Sequence, residues 1–175
     1  MRSYKQFLYG VLFLICGLTS AQTLTISIIQ NESAPTIALD MSRTIEDELL
    51  NTFFNSGFIV SNAEITFDEN AFSKNNFGIK QATFGMSDFL LVVKLNYASA
   101  AKTNQESKKN YAQLESLVWR LLNVKNSVII SENKFDISSV PITDFDPYKQ
   151  TRSLAKKVAE NAGKTLREEV KKEKK

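Results

Sequence analysis

Phe89-Leu90-Leu91-Val92-Val93-Lys94-Leu95 is the most apolar run of the chain beyond its amino-terminal stretch, and it scarcely alternates. A strand that shows apolar side chains on both faces has to be covered on both. The run therefore predicts a central strand with structure packed on either side. Leu24-Thr25-Ile26-Ser27-Ile28 does alternate, is rich in β-branched residues and is followed by the turn-forming Asn31-Glu32-Ser33-Ala34-Pro35, which reads as a first strand. Ile37, Met41, Ile45, Leu49 and Phe53 recur every four residues, joined by Leu50 and Phe54, while Arg43, Glu46, Asp47 and Glu48 hold the other face. That is an amphipathic helix, ended by Gly57. Phe58-Ile59-Val60 follows at once and continues to Ile65 as a second strand. The β-α-β unit implies parallel pairing with a right-handed crossover.

Between Asp68 and Gly85, Phe72, Phe77, Ile79 and Phe84 lie among polar residues and predict one short or broken helix. Ser99 to Asn110 is polar and without period, the pattern of a solvated loop. Ala112–Val124 and Ser127–Ile137 read as two strands of a hairpin turning at Lys125-Asn126, with Asn126 taking the positive φ. Asp146-Pro147 is an N-cap with proline at the first helical position, and Tyr148, Ala155, Val158, Ala159, Ala162, Leu166 and Val170 mark the face of a long closing helix, weakened locally at Gly163. The order β-α-β-α-β-β-β-α predicts an α/β fold: a single domain, residues 22–175, with a mixed β-sheet, helices packed on it and a long C-terminal helix. There is no internal repeat. A chain of 175 residues is one domain's worth and buries enough surface to need neither metal nor disulfide.

Residues 1–21 carry an address. Arg2 and Lys5 precede the apolar stretch Phe7–Leu18, and Thr19-Ser20-Ala21 places small residues at −3 and −1. This is the pattern of a signal peptide cleaved near Ala21. At 1.5 Å per residue the stretch spans roughly 18 Å, against about 30 Å of bilayer hydrocarbon, which disfavours a transmembrane anchor. The mature protein is expected to be periplasmic or secreted. Cys16, the single cysteine, lies inside the stretch after Phe13-Leu14-Ile15, not the small residue that lipidation wants, so a lipoprotein is not expected and no disulfide is available.

Composition narrows the chemistry. There is no His, which removes His-activated nucleophiles, His-ligated metals and an imidazole switch. With 22 Lys+Arg against 19 Asp+Glu the net charge is +3, too small to suggest nucleic acid. Asp136, Asp144 and Asp146 are close in sequence, but Asp146 is accounted for by capping and the group lacks the glycine and downstream Glu of an EF-hand. Asp40, Glu46, Asp47, Glu48, Asp68 and Glu69 stand near strand ends without a glycine-rich phosphate loop. Neither catalytic residues nor a metal or cofactor site is assigned. Trp119, flanked at two-residue spacing by Leu117 and Leu121, is either core or a partner anchor. Residues Lys164 to Lys175 hold six basic and three acidic side chains, which suits a helix end or a weak membrane-surface contact through Lys171, Lys172, Lys174 and Lys175.

Several segments taken together carry a likeness. Thr25-Ile26-Ser27-Ile28-Ile29-Gln30-Asn31 is a strand ending in an Asn-containing turn. It leads to the helix Ile45-Glu46-Asp47-Glu48-Leu49-Leu50 and then to Gly57-Phe58-Ile59-Val60, a strand after a small residue. With Gly85-Met86-Ser87-Asp88-Phe89-Leu90-Leu91-Val92 and the hairpin Leu121-Leu122-Asn123-Val124-Lys125-Asn126-Ser127, the chain resembles the domain shared by the curli-secretion lipoprotein CsgG, the penicillin-binding-protein activator lipoprotein LpoB and the amino-terminal domain of TolB. The resemblance runs over nearly all of Thr23 to Val170. The chain departs from that pattern in lacking a lipidation Cys and in carrying Asn126-Ser127 where Gly is usual. The resemblance implies an envelope accessory domain that works by contacting other proteins.

The sequence thus predicts a non-catalytic cell-envelope protein that binds an envelope protein partner, in assembly, secretion or regulation of an envelope enzyme, and that is open to homo-oligomerisation. The contact is expected at a sheet edge or at the Ser99–Asn110 segment, through Lys102, Asn104, Lys108, Lys109 and Trp119. The alternative is a carboxylate-based ligand-binding protein or hydrolase.

Overall fold

The computed structural model describes residues 21–105, 108–137 and 146–173. Arg2, Lys5, Cys16, Glu106, Ser107, Asp144, Lys174 and Lys175 lie outside the described residues, as does the side chain of Asp136. The elements follow the predicted order: β1 (Thr23–Gln30), α1 (Ala38–Asn55), β2 (Ile59–Asn62), a 3-10 turn (Ala71–Ser73), α2 (Ile79–Phe84), β3 (Phe89–Thr103), β4 (Asn110–Asn123), β5 (Val128–Asp136) and α3 (Pro147–Glu173).

The sheet is mixed, in the order β2-β1-β3-β4-β5. β1 runs parallel to both β2 and β3, and β4 runs antiparallel to both β3 and β5. β3 is the central strand, and its unbroken apolar run is explained by two cores. Phe89, Leu91, Val93 and Leu95 join the larger one, with Ile45, Leu49 and Phe53 of α1 and Leu154, Val158 and Leu166 of α3. Leu90 and Val92 face the smaller one, with Ile29, Leu122, Ala71 and Ala82, beneath the 3-10 turn and α2. Burying each such side chain contributes about 1.5–3 kcal/mol, so both faces of β3 hold the fold together.

α1 and α3 lie side by side. Phe53 meets Phe58 edge to face at 5.9 Å, and a Cβ at Gly163 would stand 3.6 Å from the Phe53 ring, an ordinary contact that places Gly163 where α3 faces α1. Asp146 caps α3 as expected, its Oδ1 accepting from Tyr148 N at 3.0 Å. On the smaller-core face Arg120 is 8% exposed, yet it is satisfied. It donates to Glu132 at 2.6 Å and to the Phe72 carbonyl at 3.0 Å, and lies 4.3 Å over the Phe72 ring.

Three expectations need correcting. Ser99–Asn110 is largely strand, because β3 runs to Thr103 and β4 starts at Asn110. The strand ladder there is a backbone interaction and needs no apolar period, which is why the sequence hid it. β2 stops at Asn62, and only the isolated Ile29↔Thr66 bridge continues its line toward and past Ile65. In the β4–β5 turn the positive φ falls on Ser127, not Asn126, whose Oδ1 instead accepts from Val128 N at 3.1 Å.

Candidate functional site

β1 accompanies β3 only as far as Gln30↔Leu95, and β5 accompanies β4 only between Asn123 and Ser116. Beyond those points β3 and β4 continue as a pair, with Tyr97 opposite Leu114, Ala101 opposite Ala112, Lys102 opposite Tyr111 and Thr103 opposite Asn110. The result is a two-stranded arm. Among the described residues no further strand lies beside either of its strands. Register shifts at Asn96/Tyr97 and Tyr97/Ala101 mark where it leaves the sheet, the usual way a bulge re-aims a strand. Its tip is closed by Asn104 N donating to Lys109 O and Lys108 N donating to Asn104 O, both at 2.9 Å, with Lys108 at φ 56°.

A buried polar cluster fixes the base of the arm. Asn31 Oδ1 accepts from Tyr97 N at 2.8 Å while its Nδ2 donates to Tyr97 O at 2.9 Å. Ser42 Oγ donates to Gln30 Oε1 at 2.7 Å and lies 3.1 Å from the Tyr97 hydroxyl. Since the one Ser42 proton is used on Gln30, Tyr97 is the donor to Ser42. Burial pushes the Tyr97 phenol well above its ordinary value of 10.0. It stays a neutral donor at any physiological pH.

Two hollows flank the arm and share Lys102 and Glu115. One, of about 490 Å³, is lined by Met41, Tyr111, Leu114, Ile137 and Leu154. The other, of about 550 Å³, is lined by Asn31, Ser33, Glu69, Lys94 and Asn96. The second lies outside the carboxyl ends of β1 and β3. The carboxyl ends of the strands are where open α/β sheets place ligands.

Of the residues singled out in the sequence, Lys102, Asn104, Lys108 and Lys109 come together on the arm, the three lysines exposed and Asn104 buried in the turn. Trp119 is 1% exposed and belongs to the larger core, out of a partner's reach. Lys171 and Lys172 are exposed at the far end of α3, Lys172 donating to Glu169 at 2.9 Å. The candidate carboxylates are dispersed. Glu48 pairs with Lys156 at 3.7 Å and Asp68 with Lys74 at 3.6 Å. Glu46 is buried, and that burial raises its carboxyl above 4.5 against a lowering hydrogen bond from Asn62. Among the described residues no three or more His, Cys, Asp or Glu gather as a metal would require, and no helix is long and apolar enough to cross a membrane. The cluster of Gln30, Asn31, Ser42 and Tyr97 escaped the sequence reading. Its one visible trace was the Asn in the turn after β1, whose partner is 66 residues away.

A family model described as "Uncharacterised protein" matches residues 23–167. No curated protein matches the chain. Among solved structures the chain is similar to protein XCC0632 from Xanthomonas campestris, at 15% identity over 88% of each chain with a TM-score of 0.50, which supports the fold alone. It is more distantly similar to the LpoB C-terminal domain from Salmonella enterica (15% identity, 74% of this chain, 92% of that one, TM-score 0.40). Lipoprotein GNA1162 from Neisseria meningitidis is comparable (13% identity, 82% and 99%, TM-score 0.44). At those scores nothing about function follows from either.

Proposed function

The chain belongs to the family described as "Uncharacterised protein", and from that premise we propose that it is a non-catalytic accessory protein of the bacterial cell envelope, exported by its amino-terminal leader and binding an envelope protein through the β3–β4 arm. The observation that carries this reading is the arm itself. It runs on past β1 and β5, and among the described residues no further strand lies beside it, which makes it a template for main-chain pairing with another chain. Lys102, Lys108 and Lys109 give the tip charge that steers an acidic surface toward it. The Asn31–Tyr97 pair holds its base, so little ordering cost is left for binding. The missing His and the absence of a phosphate loop support a non-catalytic role.

The test is capture of crosslinked envelope proteins by the tagged chain, beside a Lys102→Glu/Lys108→Glu/Lys109→Glu variant. One protein recovered in stoichiometric amount by the wild type and lost by the variant supports the reading; equal recovery by both contradicts it. A second reading, a small polar ligand in the hollow of Asn31, Glu69, Lys94 and Asn96, is favoured by its position at the strand ends. A thermal-shift screen separates the two, because a saturating ligand raises the unfolding temperature by mass action.

A further inference from the structure

Among the described residues, the large apolar side chains that stand exposed are Phe54, Ile59, Phe67, Phe84, Met86 and Val128. Strand directions sort them. Thr23 begins β1 beside Ile59 of β2, the first residues of β3 lie beside β1's start, and antiparallel pairing brings Asn123 and Val128 to the same end. Met86 is tied there by its carbonyl, which accepts from Thr23 Oγ1 at 3.0 Å. α1 runs from the other end of the sheet and delivers Phe54 to this one. Among the described residues, every exposed large apolar side chain except Phe67 therefore shares one pole, opposite the arm.

Phe84 and Met86 are 87% and 85% exposed, and Met86 takes the left-handed φ of 53° that closes α2, its N–H donating to Thr83 O at 3.0 Å and Ser87 N donating to Ala82 O at 2.9 Å. Neither packs on a core. Apolar side chains that stand so far out and stabilise nothing in the fold mark a surface kept for contact. Cations surround it. Lys80 is one helical turn from Phe84 on the same face of α2, Lys125 lies in the β4–β5 turn, and Lys171 and Lys172 end α3 close to Val128's strand. Asp88 is turned inward onto Thr23 and Glu169 is engaged by Lys172, while Glu168 lines the same hollow as Val128 and Lys172, so among the described residues the cations of this pole with no carboxylate partner are Lys80, Lys125 and Lys171. The chain also enters the fold at this pole.

We propose that this pole seats the protein on an anionic lipid bilayer, with Phe84 and Met86 entering the boundary between headgroups and acyl chains and Lys80, Lys125 and Lys171 held by lipid phosphates. The occupant is a bilayer, not a protein groove, because the apolar residues are spread over several elements at this end, Phe84 and Met86 standing fully out, and are interleaved with lysines. The seating leaves the arm facing away from the lipid. It does not depend on the arm having a partner.

The experiment places a reporter at each pole of the full chain. Phe84→Trp and Phe67→Trp both add a surface indole to the single, buried Trp119. Vesicles of phosphatidylcholine and phosphatidylglycerol with brominated acyl chains quench only indoles that reach the acyl region. The expected result is emission at least halved and shifted to the blue in Phe84→Trp, and unchanged in Phe67→Trp. The quenching should weaken as salt rises from about 0.1 M to about 1 M, where the screening length falls from about 10 Å to about 3 Å. A Phe84→Ser/Met86→Ser variant should lose most of its flotation with the same vesicles. Phe84→Trp left unquenched, or both variants quenched alike, overturns the proposal. A blue shift that grows with protein concentration in the absence of lipid assigns the pole to a second copy of the chain and overturns it equally.

Discussion

The side chain of Asn31 acts as one more strand residue opposite Tyr97. Its amide oxygen accepts the Tyr97 N–H at 2.8 Å and its amide nitrogen donates to the Tyr97 carbonyl at 2.9 Å, two bonds that extend the β1–β3 ladder past the end of β1. They fix β3 at the bulge where the arm begins, with Asn31 also donating to Ser33 at 2.9 Å. Local sequence thus sets the aim of a segment 66 residues away.

Asn31→Asp tests that pairing with almost no change of shape. A carboxylate has no N–H for the Tyr97 carbonyl and sets two acceptors against each other. The expected loss is about 1–3 kcal/mol of stability, read from urea unfolding, because a buried group is left without its partner. Amide exchange in Ala98–Thr103 should accelerate while that of Leu90–Val93 does not.

Ser42 and Tyr97 have unequal roles in the same cluster. Ser42→Ala strands both the Tyr97 hydroxyl and Gln30 Oε1, whereas Tyr97→Phe removes a donor and leaves Ser42 still bonded to Gln30. The prediction is that Ser42→Ala costs roughly 1 kcal/mol more than Tyr97→Phe in chemical denaturation.

Glu46 makes stability fall as pH rises. Burial raises its folded-state pKa above 4.5, with Asp47 adding to the rise and Asn62 and Arg43 opposing it. The folded chain therefore holds this proton more tightly than the unfolded one. Its contribution is full below 4.5, is lost as pH climbs through the raised value, and stays lost above it. Glu46→Gln should be at least as stable as the wild type at neutral pH, and the difference should vanish in acid; a constant difference across pH would refute the assignment.

Gly57 and Gly78 both take positive φ, at 88° and 76°. A Cβ at Gly57 meets nothing within 4 Å, but one at Gly78 would come to 3.0 Å from Leu90 Cδ2 in the smaller core. Gly57→Ala should cost about 1–2 kcal/mol from the backbone alone. Gly78→Ala should cost more, and thermal unfolding of the two variants gives the comparison.

The elements were legible because their signals are local. The apolar run of β3, the four-residue recurrence of α1 and the Asp146-Pro147 cap each dictate structure within a few residues. What escaped depends on pairing across the chain. Residues 99–103 and 110 look like a loop because an exposed ribbon is held by backbone bonds that leave no trace in residue type. Trp119 could be read as core or anchor from alternation alone, and only the cover provided by α1 and α3 decides for core. Four of the five residues expected at a partner surface do share the arm, since they are close in sequence. The Asn31–Tyr97 pair that aims it is a long-range contact and was not visible.

The most direct test of the partner role is photocrosslinking in the living envelope. A photoreactive residue at Ser99 or Thr103 on the arm is compared with one at Asn51, exposed on α1. The account predicts a single discrete crosslinked species of higher mass from Ser99 and Thr103 and none from Asn51. Crosslinks from Asn51 with none from the arm would contradict it.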